Sequence, residues 1–245
     1  MSWQAFEEAI ARRRDAGHET VFWWRDDDAS TPTPELEAVL AVGRRASAPL
    51  ALAVIPAAAT PDLFGLLGAD VQVLQHGADH RNRSAPGEKK SEFPAAEGDA
   101  AALGRLRAAR TRLAKMSGAR ALAVLAPPWN RLRSDLAARL PEAGIIGLSQ
   151  YRTAVARLSS TPPGVTRVDT HIDVVAWRTG RGFIGEREAL ALAVHHLGTE
   201  RGPIGWLTHH AVHGRDVTDF LTRLFDCSRD AGARWASARE LWPAA

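Results

Sequence analysis

Short apolar runs alternate with longer amphipathic segments along almost the whole chain, and this alternation limits the possible folds. Repeated strand–helix–strand units favour a parallel sheet, because each crossover helix returns the chain to start the next strand in the same direction. The predicted strands are Thr20–Arg25, Leu50–Ile55, Val71–Gln75, Ala121–Ala126, Ile145–Ser149, Arg167–Val175 and Ile204–His209, with a shorter one near Arg234–Ala236. The sequence therefore predicts an α/β fold.

Helical periodicity fills most of the intervals between these strands. The predicted helices are Pro34–Ala46, Pro61–Leu67, Asp99–Met116, Ser134–Ala143, Glu186–Leu197 and Asp216–Ala231. About seven such units suit a closed or nearly closed barrel, although an open doubly wound sheet has the same local pattern. A barrel of roughly 250 residues commonly forms one domain, so we expect residues 1–245 to form a single domain.

Composition excludes some partners. The longest apolar stretch, Pro49–Ala59, is too short to cross a bilayer, and the amphipathic start lacks the apolar core of a secretory signal. The only cysteine is Cys227, which rules out an internal disulfide and fits a reducing compartment. The net charge is +3, but the arginines lie among acids rather than in a basic stripe. We expect a cytoplasmic protein that binds neither membranes nor nucleic acid; the sequence does not indicate its oligomeric state.

Polar and titratable residues follow the carboxyl ends of successive predicted strands. In α/β barrels this end carries the active site. The groups, in strand order, are Arg25-Asp26-Asp27-Asp28, His76 with His80, Pro127-Pro128-Trp129-Asn130-Arg131, Asp169 and Asp173 with Trp177, and His209-His210. The sequence thus predicts that these residues come together in one site.

Two histidines four residues apart, together with a carboxylate, form a ligand set of the kind that holds catalytic zinc. Cobalt and nickel suit the same donors. Either Asp27-Asp28 or Asp26-Asp27 could be the working acid pair. His209 and His210 point in opposite directions if their segment is extended, so only one can reach the site.

The motifs and their order resemble the polysaccharide deacetylases, also known as the NodB-like domain or carbohydrate esterase family 4. Asp27-Asp28 is similar to the motif Thr-Phe-Asp-Asp-Gly, and His76-x-x-x-His80 to the motif His-x-x-x-His. Pro127-Pro128-Trp129 resembles Arg-x-Pro-aromatic, Asp173 with Trp177 resembles a fourth motif loosely, and Leu207-Thr208-His209 resembles Leu-x-His. The similarity covers about residues 20–215.

The resemblance implies hydrolysis of an N-acetyl group, usually on an amino sugar, by a metal-dependent enzyme with a distorted (β/α) barrel. It implies a divalent metal, most often zinc, held by Asp28, His76 and His80. Asp27 would be the general base, His209 the general acid and Asp173 the residue that orients His209. Pro128, Trp129 and Arg131 would contact a carbohydrate or small amide substrate.

One departure from the family pattern affects the expected activity. The arginine of the third motif, which helps to hold the catalytic carboxylate, is replaced by Ala126. Arg25, Arg83 and Arg131 are candidates for its role, and Asp169 competes with Asp173 in the fourth motif. Two alternatives therefore stay open: a carbohydrate-binding or regulatory barrel without turnover, and a hydrolase of non-sugar C–N bonds on the same fold.

Overall fold

Alternating side chains of the first strand define the two layers of the molecule. In the computed structural model, which describes residues 1–152 and 161–245, Phe22 and Trp24 pack in the large outer cluster beneath the helices. Trp23, between them, belongs to a separate inner cluster. A sheet that is buried on both faces needs apolar residues at every position, and this explains the unbroken apolar start of the strand.

Nine strands of the described residues form one sheet in which all strand pairs are parallel. They are β1 (Val21–Ala29), β2 (Leu50–Val54), β3 (Val71–His76), β4 (Ala121–Ala126), β5 (Gly147–Leu148), β6 (Thr166–Arg167), β7 (Thr170–Asp173), β8 (Ile204–Thr208) and β9 (Arg234–Trp235). Their order is β6-β5-β4-β3-β2-β1-β8-β7, and β9 pairs with the start of β1.

Helices connect most of these strands and cover the convex face. They are α1 (Trp3–Asp15), α2 (Pro34–Ala46), α3 (Pro61–Gly65), α4 (Asp99–Ser117), α5 (Ser134–Ala138), α6 (Glu186–Thr199), α7 (Arg215–Asp230) and α8 (Ala238–Leu241). The predicted α/β fold with a distorted barrel is confirmed. No helix within residues 1–152 and 161–245 is both long and apolar enough to span a membrane.

The single strand predicted over Arg167–Val175 is wrong, because the chain divides there into β6 and β7 at opposite edges of the sheet. Asp169, between the two, accepts hydrogen bonds from the side chain of Arg167 and from the N–H of Gln150. Thr170 donates its N–H to the Gln150 carbonyl at 2.8 Å. The two edges of the sheet therefore lie side by side, and the sheet curls into a distorted barrel.

Two indoles fill the barrel interior at the end opposite the polar strand ends. Trp23 of β1 and Trp242, which follows α8, meet edge to face with ring centroids 5.5 Å apart. A Cβ at Gly205 would come within 2.5 Å of Trp23, and a Cβ at Gly147 within 2.8 Å of Trp242. Glycine in β5 and β8 thus makes room for the indoles, which close this end of the barrel and leave the opposite end for polar groups.

Candidate active site

The end of β1 places two consecutive acids on one side of the strand. The register between β1 and β2 shifts between Asp26 and Ala29, and Asp28 has a φ of +72°. In a regular strand Asp27 and Asp28 would point to opposite faces. A bulge re-aims the side chain that follows it, so both carboxylates reach the mouth of the barrel.

Asp28 meets two histidines from the end of β3. Its Oδ1 lies 3.1 Å from Nε2 of His76 and 3.2 Å from Nε2 of His80. Hydrogen bonds from these histidines hold the pKa of Asp28 well below its usual range, although burial, the largest influence, acts to raise it. The side chains of His76, Asp28 and His80 are 3%, 31% and 25% exposed, so the cluster opens toward solvent on one side.

These three residues have the donor geometry of a metal site. One ligand atom from each can be chosen so that all three lie within 4.8 Å of one another. Two ligands that are each about 2.0–2.1 Å from zinc at a tetrahedral angle are about 3.3 Å apart, close to the separations from Asp28. Nδ1 of His76 lies 2.9 Å from the Ala126 carbonyl oxygen, which can only accept a hydrogen bond. Nδ1 therefore carries the proton, and Nε2 is left to bind a metal.

His80 is held by a buried carboxylate from a distant part of the loop. Glu92 accepts the backbone N–H groups of Ala78, Asp79 and His80 at 2.9, 3.0 and 3.2 Å. Its side chain is completely buried, and this burial raises the pKa of Glu92. Glu92 fixes the backbone at His80, whose φ is +57°. Sequence patterns do not reveal this burial, because Glu92 belongs to a charged loop and its partners lie 12 to 14 residues away.

Asp27 is bound by an arginine from its own strand. Arg25 Nε lies 2.8 Å from Asp27 Oδ1, and Arg25 Nη2 donates to Oδ2 at 3.0 Å. The same guanidinium donates to the Ser149 hydroxyl at 2.7 Å and to Asn130 Oδ1 at 2.8 Å. All of Arg25 is buried. Of the three arginines that could replace the one missing at Ala126, Arg25 is the one that contacts Asp27.

The other two candidate arginines have different partners. Arg83 pairs with Asp79, with Nη2 2.6 Å from Oδ2. Arg131 donates to the Lys90 carbonyl at 2.8 Å and lies exposed at the rim of the site.

His209 lies opposite Asp27, with two carboxylates near its ring. Its Nε2 is 3.8 Å from Asp27 Oδ2, and its Nδ1 is 4.0 Å from Asp173 Oδ1. Asp173 accepts hydrogen bonds from the Trp177 indole at 2.7 Å and the Val175 N–H at 3.0 Å, and burial raises its pKa. Trp177 packs edge-on against His209 at 4.7 Å and is itself 43% exposed. Of the two competing acids, Asp173 is the one beside His209.

Asp26 and His210 face away from this cluster. His210 Nδ1 lies 2.5 Å from Asp26 Oδ1, and both side chains are buried. Burial acts to lower the pKa of His210, but the charge of Asp26 raises it above its ordinary value, which favours an ion pair between the two. The expected opposite orientation of His209 and His210 is what the structure has. Asp26 lies outside the group of donors formed by Asp28, His76 and His80.

The turn after β4 forms the wall beside the histidines. The Trp129 ring lies 4.6 Å from the ring of His80. Pro128 is buried beneath it, where a Cβ on Gly77 would approach within 2.7 Å. Arg131 and Asn130 continue into a groove of about 370 Å³, whose lining includes Lys89 and Phe93.

Backbone strain is concentrated at this end of the barrel. Six non-glycine residues of the described chain have a positive φ, and four of them are Asp28, His80, Trp129 and Asn130. Such conformations cost on the order of 1–3 kcal/mol each and persist where the surrounding structure enforces them, often at functional sites. Their clustering here marks this end of the barrel as the candidate active site.

Comparison with known proteins identifies the fold. No family model and no curated protein sequence matches the chain. Among solved structures, a Streptococcus mutans CE4 esterase has a TM-score of 0.61 and 12% identity, covering 93% of this chain and 89% of that chain. A family 4 carbohydrate esterase from Streptomyces lividans in complex with acetate has a TM-score of 0.58 and 15% identity, covering 87% and 90%. A peptidoglycan deacetylase from Bacillus subtilis has a TM-score of 0.59 and 12% identity, covering 92% and 91%.

These similarities span nearly the whole of each chain, so the protein shares the fold of the family 4 carbohydrate esterases. The resemblance drawn from five short motifs is thus confirmed at the level of the fold. At 12–15% identity the agreement concerns the backbone, and what the site does has to be argued from its own residues.

Proposed function

We propose that this protein is a metal-dependent deacetylase that removes N-acetyl groups from an amino-sugar-containing substrate. The observation that carries the proposal is the convergence of three groups at one barrel mouth. These are the ligand set around Asp28, the carboxylate of Asp27 fixed by Arg25, and His209 facing that carboxylate. Each supplies one part of metal-assisted amide hydrolysis: a site for the cation, a base for the attacking water and an acid for the departing amine.

Asp28, His76 and His80 would hold a divalent cation, with zinc as the first expectation and cobalt or nickel also compatible. When bound, such a cation polarises a carbonyl oxygen and lowers the pKa of a coordinated water. The partly exposed side of the cluster is where a substrate could approach.

Asp27 is placed to act as general base. Its Oδ1 faces Arg25 Nε, and its Oδ2, which also accepts from Arg25, is the oxygen nearest His209. One hydrogen bond to Oδ2 and a charge contact of 2.8 Å at Oδ1 together hold the carboxylate in place. Asp27 would accept a proton from the attacking water, whose oxygen then bonds to the carbonyl carbon of the acetyl group.

His209 is placed to act as general acid. When the C–N bond of the tetrahedral intermediate breaks, the nitrogen must gain a proton in order to leave as an amine. His209 Nε2 would donate that proton, while Asp173 and Trp177 hold the ring in place. The products are acetate and a free amine on the substrate.

The groove beside Asn130 is the proposed binding surface for the sugar. It lies next to the Arg25 network, and its lining includes polar groups that can bind sugar hydroxyls, among them Asn130 and Arg131. Trp129 and Trp177 border the metal ligands and His209. The named activities of the solved structures with this fold, which include peptidoglycan deacetylation, support a carbohydrate substrate.

A barrel that only binds carbohydrate was the main alternative, because Ala126 replaces the arginine that holds the base. Arg25 removes that reason, since its guanidinium contacts both oxygens of Asp27. A binding module has no need for a carboxylate held in this way. The cytoplasmic location expected from the sequence stays a prediction.

The decisive experiment is release of acetate from a panel of N-acetylated sugars and small amides by the metal-loaded protein. We expect activity on at least one sugar and its loss on chelation. Asp27→Asn and His209→Ala should keep their metal and lose on the order of 100-fold or more in rate, the usual value of a positioned acid or base. Release from small amides alone would favour the non-sugar hydrolase, and release from none would favour the binding barrel.

A further inference from the structure

The two proposed proton-transfer residues lie just beyond the point where β1 and β8 stop pairing with each other. The ladder between β1 and β8 runs from Phe22 opposite Ile204 to Asp26 opposite Thr208. Asp27 and His209 each follow the last residue that is paired in this ladder, although β1 itself continues along β2 to Ala29 opposite Val54. The hydrogen bonds between β1 and β8 therefore do not set the 3.8 Å separation between Asp27 Oδ2 and His209 Nε2.

A side-chain contact joins the two strands at this level from behind the site. The Asp26 carboxylate accepts the Thr208 hydroxyl at 2.6 Å, the His210 N–H at 3.1 Å and His210 Nδ1 at 2.5 Å. Thr208 in turn accepts the Trp24 indole N–H at 2.8 Å. Asp26 precedes Asp27 and His210 follows His209, so this contact ties the backbones of both proton-transfer residues.

Stability alone does not account for a buried ion pair here. Replacing such a pair by apolar residues of similar size is often neutral or stabilising, because desolvation of the charges offsets their attraction. The Thr-Phe-Asp-Asp-Gly motif that this segment resembles has an apolar residue at the position of Asp26. Hydrogen bonds have preferred directions and lengths. A polar pair that crosses from one strand to the other can therefore fix the relative position of the two strands, which an apolar contact cannot do.

We propose that Asp26 and His210 are positioning residues that hold Asp27 and His209 at the spacing needed for proton transfer. This inference rests on the proposed function, which supplies the roles of Asp27 and His209. Asp26 and His210 touch neither the ligand set nor the groove and act through their neighbours in the chain.

The test compares the double variant Asp26→Leu/His210→Leu with the wild type. The variant should fold with full metal content, since neither charge is left unpaired, and with a somewhat lower Tm, because the Thr208 hydroxyl and the His210 N–H lose their acceptor. Its kcat should fall by about 10- to 100-fold with little change in KM, as expected when catalytic groups are misplaced by about 1 Å. The imidazole NMR signals of His209 should broaden. Asp26→Leu alone, which leaves only a neutral histidine buried, should show the same changes.

Two further variants separate positioning from stability. His210→Asn keeps a donor near the position of Nδ1 and should retain most of the wild-type kcat. Ser228→Ala removes a partly buried hydrogen bond far from the site, from the Trp235 indole at 2.9 Å, and should lower Tm without changing kcat. Wild-type kcat and sharp His209 signals in a folded Asp26→Leu or double variant would overturn the inference. If the wild type releases no acetate, the proposed function fails, while the His209 signals still test the positioning of that ring.

Discussion

Arg25 and Asp27 lie two residues apart on one strand, and both oxygens of the Asp27 carboxylate contact the Arg25 guanidinium inside the barrel. Residues at positions i and i+2 of a strand share a face, so the proposed base and the cation that holds it come from the same segment. In the family that the motifs resemble, the corresponding arginine comes from the third motif, where this chain has Ala126. In this chain the cation that contacts Asp27 lies on β1 rather than at the end of β4.

Arg25→Thr should lower the rate of acetate release on the order of 100-fold, because Asp27 loses its fixed orientation. Breaking a buried pair also leaves a charge unpaired, which typically costs about 3–5 kcal/mol of unfolding free energy. The double variant Arg25→Thr/Ala126→Arg returns a cation from β4 and should recover part of the rate and stability. A double variant no better than Arg25→Thr would show that position 126 cannot take over the contact.

His76→Ala or His80→Ala should remove the metal, because two protein ligands hold zinc poorly. Metal content is measured by elemental analysis after dialysis against a weak chelator. His18→Ala, at an exposed position, is the matched control and should retain one metal per chain. Full occupancy in both site variants would rule out this ligand set.

Glu92→Gln should weaken metal binding by about 10- to 100-fold, the usual effect of removing a group that orients a ligand. A glutamine amide has only one oxygen that can accept hydrogen bonds, because its nitrogen is a donor. It therefore cannot accept all three N–H groups of Ala78, Asp79 and His80 as the carboxylate does. Competition with a chromogenic chelator measures the affinity. Glu88→Gln changes an exposed acid of the same loop and should bind metal like the wild type; equal affinities in both variants would contradict the role of Glu92.

The buried His213 should lower the free energy of unfolding in weak acid relative to neutral pH. Burial lowers the pKa of His213 from its ordinary value of 6.5 to about 4. Between these values the unfolded chain binds a proton that the folded chain does not, so the free energy of unfolding falls as the pH drops from 6.5 toward 4. Above pH 6.5 the residue is neutral in both states and contributes no pH dependence.

Urea unfolding at several pH values measures this effect. His213 Nε2 accepts the N–H of His209 at 2.9 Å, and His213→Gln keeps an acceptor that does not titrate. The variant should therefore lose part of the slope between pH 6.5 and 4, whereas His18→Gln, at an exposed site, should keep the wild-type slope. Parallel curves for His213→Gln and wild type would show that His213 does not titrate as described.

The amino-acid sequence by itself determined a parallel α/β sheet, because alternating apolar runs and helical segments are local patterns, whereas the barrel was favoured over an open sheet by the order of the motifs. It also placed Asp28, His76 and His80 together, since parallel strands end at one edge of the sheet. The sequence did not reveal Glu92 as part of the site, because the N–H groups that it accepts lie 12 to 14 residues away. Arg25 could have been noticed as a lone cation closing an apolar strand, but the sequence alone left it level with Arg83 and Arg131.

Tertiary structure decided what depends on contacts between segments and on backbone conformation. The positive φ at Asp28 and the shifted register beside it settle which acids share a side of β1. The break between β6 and β7 cannot be predicted from the local sequence pattern. It depends on the hydrogen bond that Asp169 accepts from the N–H of Gln150, which lies on another segment. Glu92 is a charged residue of a type that is usually exposed. It can be buried because three N–H groups of the folded loop donate hydrogen bonds to its carboxylate. Hydrophobic periodicity is a property of one segment, whereas hydrogen-bond partners and burial are properties of the packed chain.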